Sequence, residues 1–458
     1  MIPRAASATS ATWRSAGTTT RVLGGGGAGR RGLRLAACGN GDFGRLGLGP
    51  AGDDGDAAGT GHGHSHGADA VPGGGGGTAS AVAMRLCARA GPWRQAAAGG
   101  AHSAAVSRAG EVFVCGLNDR GQLGLGPAAV GGSVAAPTRV AVDFDPADGG
   151  LGGPVAAVAC GHFHTLAVTR DGAVYAWGAN DRGQLGLGRE AGALVPAPTL
   201  VAALAGHAIV GVSAGAEHSL AVSATGEVFS WGAAANGRLG HGEGAGGWFW
   251  GPKDEGLPRL VRPLAGERVA AVAAGHLHSG CVEASGRVFT WGAGRFSQLG
   301  LGRAFLGDLG EPTEVPGLRA KKLALGGLHS LALSRGGDVF AWGSNQHGCL
   351  GLGGREAQSM APVKVEGLSD VADVAAGWKH SAAVRASDGA LLAWGWGGAP
   401  GAAMDDATTG GGQLGRGDNF DYWTPARARP PAADLRAVAV SAGFNHTVAL
   451  WEAGAAEP

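Results

Sequence analysis

The chain has 458 residues, 91 of them Gly, with 36 Lys plus Arg against 36 Asp plus Glu and 45% hydrophobic residues. A balanced charge gives no electrostatic reason to bind DNA or an anionic membrane surface, and no uncharged apolar run has the length of roughly 18 residues and the density that a membrane span needs. Wholesale disorder is excluded by the apolar content, so a Gly load without a collagen period points to many tight turns.

The chain opens on a leader. Arg4, Arg14, Arg21, Arg30, Arg31 and Arg34 stand among Ser, Thr and Ala, and no acidic residue occurs from Met1 to Asn40. An Arg-rich, Ser-rich, acid-poor segment reads as a mitochondrial or chloroplast transit peptide. A disordered tail in a chain rich in Ala, Gly and Arg has the same composition, and cytoplasm or nucleus is then the alternative location. Residues 1–32 are set apart as this disordered leader. A Gly- and His-rich insertion follows at 49–81 and contains His62, His64 and His66 at alternate positions. A flexible filler loop is the plain reading, and metal affinity is the competing one.

Beyond the leader, three short signatures each recur seven times. The pattern G-x-x-H-[ST] carries His102, His164, His218, His278, His329, His380 and His446. A Trp-Gly or Cys-Gly pair stands at Cys38, Cys115, Trp177, Trp231, Trp291, Trp342 and Trp394. A turn of the form G-x-L-G-x-G places Leu46, Leu123, Leu185, Leu239, Leu299, Leu350 and Leu414, with Ser297 for the first Gly in one copy. From His to the next Trp or Cys is 13 residues, as from His164 to Trp177, or 14 once, and from there to the Leu is 8 residues in six copies. From that Leu to the next His the distance varies between 30 (Leu299 to His329) and 56 (Leu46 to His102). Rigid spacing means a fixed backbone path and elastic spacing a loop, so most insertions should leave from one face of a repeat structure.

Within the rigid part, His164 to Val168 and Ala173 to Trp177 are short apolar runs around the turn Arg170-Asp171-Gly172. Gly supplies the positive φ of a tight hairpin. Strand pairs at a minimal period of 51 residues, His278 to His329, suit a four-stranded blade. The fold class is therefore all-β, a seven-bladed β-propeller over residues 33–452 with a short tail at 453–458. Its first half-repeat, at Cys38 and Leu46, lacks a His signature, and its last, at His446, lacks a Trp. The two halves should complete one shared blade and close the ring.

A residue repeated once per blade serves packing first. The seven His are expected as buried groups bonded to neighbouring backbone or hydroxyls, and Trp177, Trp231, Trp291, Trp342 and Trp394 as wedges between sheets. His162/His164 and His276/His278 are i, i+2 pairs for which chelation is the minor alternative. Trp248, Phe249 and Trp250, with Lys253, are the candidate partner-binding residues, on an insertion from Gly242 to Pro258. Clustered aromatics beside charges resemble an interaction hot spot; folding back over the blade is the equal alternative. The six Cys, none in a CxxC pair, read as free thiols. No nucleophile elbow, P-loop or HExxH is present, so no catalytic residue, metal or cofactor is assigned.

The combined pattern, as in CGHFHTLAVTRDGAVYAWGANDRGQLGLG from Cys160 to Gly188, resembles the repeat of the regulator of chromosome condensation family. The resemblance implies a seven-bladed propeller and three functional readings. Organellar relatives imply a non-enzymatic scaffold with a protein or ribonucleoprotein partner. The founding member implies a guanine-nucleotide exchange factor for a small GTPase, although no matching wedge is identifiable here. The plant UV-B photoreceptor implies Trp clusters in G-W-R-H-T repeats. The residue after the signature Gly is here Gly100, His162, Ala216, His276, Gly327, Trp378 and Phe444. Only Gly377-Trp378-Lys379-His380 approaches that motif, which leaves photoreception the weakest alternative.

Overall fold

The computed structural model describes residues 19–21, 32–40, 45–48, 81–87, 89, 91–141, 153–242, 253–303, 306–398 and 411–454. In the second repeat, strands His164–Thr169 and Val174–Ala179 form an antiparallel hairpin around Gly172, whose φ is 93°. Val155–Cys160 pairs with its inner side and Leu194–Leu200 with its outer side, completing a four-stranded sheet. The strands of each repeat are lettered a to d in this chain order.

Seven such sheets are present, the first with a fifth strand added at its inner edge. Their a strands are Trp93–Ala98, Val155–Cys160, Ile209–Ala214, Val269–Ala274, Lys322–Leu325, Val371–Ala376 and Leu435–Ala442. Each a strand touches the a strands of both neighbouring sheets, so the seven surround a common axis and b, c and d lie progressively outwards. The core is split among the gaps between adjacent sheets. Between blades 2 and 3, for example, Trp231 packs with Leu166, Val168, Val174 and Leu185, all buried. The architecture is the all-β, seven-bladed propeller that the repeat implies.

Blade 7 takes strands a and b from the C-terminal end, Leu435–Ala442 and His446–Ala453. Its c and d strands, Arg34–Gly39 and Ala81–Leu86, come from the N-terminal end. Gly39 stands opposite His446 and Cys38 opposite Thr447. The two half-repeats thus complete one blade, and no sheet edge is left open between first and last repeats.

Because neighbouring strands are antiparallel, a–b and c–d connections emerge on one face of the ring, and b–c and d–a connections on the other. In chain order residues 49–80, 243–252 and 399–410 belong to c–d connections and residues 142–152 to a d–a connection. The Gly- and His-rich stretch, apart from Ala81, lies outside the described residues.

The leader departs from expectation at one point. Thr19–Arg21 forms a short strand along the a strand of blade 1, with Thr19 opposite Ala97, Thr20 opposite Ala96 and Arg21 opposite Gln95. Of the rest of 1–32, only Gly32 is described.

Candidate functional site: interblade network and axial face

The seven signature His are buried and build one repeated contact between blades. His164 Nε2 lies 3.0 Å from Ser219 Oγ of the next blade, and that hydroxyl donates to the Gln184 carbonyl at 2.7 Å. The same carbonyl accepts the Trp231 indole N–H at 2.9 Å. The turn Leu185 lies beside this carbonyl, which is why the His, Trp and Leu signatures keep rigid spacing. Around the ring the pairs are His102–Thr165, His164–Ser219, His218–Ser279, His278–Ser330, His329–Ser381, His380–Thr447 and His446–Ser103, at 2.8 to 3.0 Å. The chain of contacts closes on itself through blade 7.

Each Ser or Thr hydroxyl spends its proton on a carbonyl, so toward the imidazole it accepts. Every Nε2 therefore carries a proton. Burial pushes His102, His164, His278 and His380 down to about 3 and His329 to about 4, with neighbouring imidazoles adding to the effect on all but His329. His218 and His446 are also driven well down by burial, with Arg238 and Arg45 next in effect. These are structural groups held in one tautomer.

The signature Gly makes room for this contact. A Cβ on Gly161 would overlap the His164 ring and stand 2.6 Å from the Gly215 carbonyl of the next blade. Cys38 and Cys115 take the Trp place in blades 7 and 1, where their thiols point at the Gln413 and Arg45 carbonyls, at 3.4 and 3.6 Å. Those two gaps are filled by Trp from other strands: Trp451 between blades 6 and 7, and Trp93 between blades 7 and 1. Neither stands at the Trp-Gly position, so the repeat pattern gave no sign of them.

The i, i+2 His pairs do not converge. His164 and His278 face the neighbouring blade, whereas His162 and His276 lie in the a–b turns and face the axis. Among the described residues no group of three or more His, Cys, Asp or Glu could hold a metal ion.

The axis itself holds the feature that the repeat hides. The residues after the signature Gly line a cavity at the a–b end of the channel, about 420 Å³ including open solvent. Four of them carry rings that form a closed circuit. Phe444 stacks on Trp378 with centroids 4.5 Å apart, and Trp378 meets His276 edge-on at 4.2 Å. His276 lies 6.3 Å from His162, which stacks on Phe444 at 5.5 Å and 5°. Blades 1, 3 and 5 contribute only Gly100, Ala216 and Gly327. A Cβ on Gly100 would collide with the His162 ring, and one on Gly327 would stand 3.0 Å from Trp378 Cε3. Small residues alternate with large ones because seven large side chains cannot meet on one axis. Burial, with repulsion from His162 and Arg238, pushes His276 down to about 3.

The same face extends outwards over blades 5 and 6. Lys379 Nζ lies 5.4 Å from the Trp396 ring centre, and Arg355 5.6 Å from that of Trp423. His347 bonds Asp421 at 2.8 Å, and Phe420 is 68% exposed. Of the predicted partner-binding residues, Trp248, Phe249 and Trp250 lie outside the described residues. Lys253 is exposed and lines a small cleft with Leu239, His241 and Glu255. It is followed by Asp254, which pairs with Arg182 at 3.4 Å across the gap to blade 2.

These observations define a closed seven-bladed propeller whose repeated polar residues are consumed in holding blades together, with an aromatic axial face beside its c–d connections. The sequence profile of the RCC1-like domain matches residues 34–449, and the chain belongs to that family. The ultraviolet-B receptor UVR8 of Arabidopsis thaliana is 34% identical, over 78% of this chain and 74% of the receptor. The secretion-regulating guanine nucleotide exchange factor of Bos taurus is 31% identical, over 77% of this chain and 74% of that protein. The mitochondrial RCC1 domain-containing protein RUG3 of A. thaliana is 34% identical, over 60% of this chain and 59% of that protein. Some relatives are far longer; the match spans 6% of the human E3 ubiquitin-protein ligase HERC2. Among solved structures, Prp20p of Saccharomyces cerevisiae superposes with a TM-score of 0.74 at 23% identity, over 93% of this chain and 92% of that one. At that identity the likeness shows the fold alone.

Proposed function

We propose that this chain is a non-enzymatic interaction platform of a mitochondrion or chloroplast. Its partner surface is the face of the a–b turns and c–d connections. One observation carries the reading: the repeated His, Ser/Thr and Trp are turned inwards between blades, while half-exposed rings gather on that face, at Phe163, Trp378 and Phe444. Three of the longer insertions leave from the same side, including the one with Trp248, Phe249 and Trp250. Aromatic anchors of this kind dominate protein–protein recognition. The acid-poor, Arg-rich leader and the mitochondrial name of the relative RUG3 support the organelle; the partner is a protein or a ribonucleoprotein.

A guanine-nucleotide exchange factor for a small GTPase is the second reading, favoured by the likeness to the secretion-regulating exchange factor. Nucleotide release from a panel of small GTPases, with and without the full chain, separates the two. Acceleration would defeat the scaffold-only reading. For the platform itself, Trp248→Ala with Trp250→Ala should abolish partner capture from organelle extract without changing the melting temperature. Capture unchanged by both substitutions would remove that loop from the surface. N-terminal sequencing of the mature protein tests the location, and an intact Met1 on cytosolic or nuclear protein would overturn it.

A further inference from the structure

The inner edge of every a strand faces the channel, and its amide and carbonyl groups need partners. The chain supplies several of them from the preceding blade. The Gln95 side chain brackets Val158, its Nε2 donating to the Val158 carbonyl at 3.0 Å and its Oε1 accepting the Val158 N–H at 3.1 Å. At the equivalent place in blade 7, the Val440 N–H donates to Asp373 Oδ2 at 3.0 Å. Two residues further along, Ser213 accepts the Ala274 N–H and Ser441 the Ala98 N–H, at 2.9 and 3.0 Å. These caps are side-chain substitutes for a neighbouring strand.

Blades 1, 3, 4 and 5 lack the first of these caps, the last three behind Ala157, Gly211 and Ala271, and among the described residues only blade 1 carries a strand along that edge. In blade 7 the position equivalent to Gln95 and Asp373 is Ala439, which has no polar group to offer the edge at Ala96. Since the Ala98 N–H points to the channel, the alternation of an antiparallel ladder points the Ala96 N–H there too. Thr20 stands opposite Ala96, and its strand also touches the a strands of blades 2 and 7. We propose that the channel edge at Ala96 is a strand-accepting site and that the segment Thr19–Arg21 of the leader is its occupant. The chain thus fills with its own backbone the place that Ala439 leaves uncapped. This inference concerns the chain that keeps its leader; cleavage of residues 1–32 on import into an organelle would empty the site.

The test is amide hydrogen exchange on the full chain, resolved at Ala96 and Val158. Thr20→Pro removes an N–H from the leader strand and cannot sit in a paired ladder, while every strand of the ring is left intact. The Ala96 amide should exchange at least about tenfold faster in Thr20→Pro, with Val158, capped by Gln95, unchanged. Equal Ala96 rates in both chains would overturn the proposal. A second chain, Ala439→Gln, should protect Ala96 even when combined with Thr20→Pro, because the side-chain cap is restored. Failure of Ala439→Gln to restore protection at unchanged melting temperature would likewise refute it.

Discussion

Lowering the pH from 7 to 5 should unfold the ring, because its blade histidines are trapped neutral. In an unfolded chain each imidazole titrates near about 6.5. In the ring His102, His164, His278 and His380 are held at about 3 and His329 at about 4, chiefly by burial. The folded state therefore refuses a proton that the unfolded chain accepts. Stability is intact above the unfolded value and falls as the pH drops below it toward the folded values. Each such His costs on the order of 1 kcal/mol at pH 5.5 and on the order of 2 kcal/mol at pH 5. Five together cost on the order of 5–10 kcal/mol, against a folding stability on the order of 5–15 kcal/mol. Urea titrations read by Trp fluorescence suit the measurement, since the interblade indoles are buried. The urea midpoint should fall steeply between pH 6.5 and 5.5, with unfolding in plain buffer near pH 5. His329→Gln should flatten the fall between pH 6.5 and 5.5 by about 1 kcal/mol, the share of one imidazole. A midpoint constant from pH 7 to 5 would refute the reasoning, because charged imidazoles would then be tolerated between blades.

His329→Ala should lower stability by about 1–3 kcal/mol through the lost contact to Ser381, with a further cost for the cavity. Partner binding should survive it; lost binding at an unchanged melting temperature would make the His ring functional. Gly161→Ala should cost about 1–3 kcal/mol by overpacking against the His164 ring and the Gly215 carbonyl, read as a fall in urea midpoint. UV-B irradiation should leave the oligomeric state unchanged in size-exclusion chromatography, because the ring partners of Trp378 among the described residues are Phe444 and His276, with no second Trp; light-induced monomerisation of a dimer would contradict this.

The ring was legible in the sequence because each signature does one mechanical job seven times. The step from His164 to Trp177 is the length of one hairpin, and the step from Trp177 to Leu185 is the reach from a strand to the turn that receives the next blade's Trp. Closure was legible for the same reason, as two incomplete copies with complementary parts. The axial rings were not. His162, His276, Trp378 and Phe444 are 66 to 114 residues apart at their nearest and look like background within the repeat. Only closure around the axis brings them together, and the one available signal was the alternation with Gly100, Ala216 and Gly327. The channel caps were equally hidden, since Gln95, Ser213, Asp373 and Ser441 occupy different repeats with no shared motif. Trp93 and Trp451 escaped because they fill the blade gaps from strands that carry no Trp signature.

The G-x-x-H signature joins a constrained position to a free one. Its His, bonded to the next blade, cannot vary without leaving a buried hydroxyl and a cavity. Its Gly has no room for a Cβ. The residue between them that follows the Gly meets neither demand, because it lines the axis and stands outside the repeated His–hydroxyl contact. Here the sevenfold sameness breaks down, to Gly, His, Ala, His, Gly, Trp and Phe in blade order. The a–b turns that carry these residues are pinned to each other by backbone hydrogen bonds, such as Gly100 N–H to the Gly161 carbonyl at 3.0 Å and Phe444 N–H to the Gly99 carbonyl at 3.0 Å. The scaffold thus presents seven rigid places on one face whose side chains are limited by one another and not by the bonds between blades. A binding surface can be changed there without touching the network that holds the ring, which is why the axial face, and not the invariant His lattice, is where this chain's own specificity should be sought.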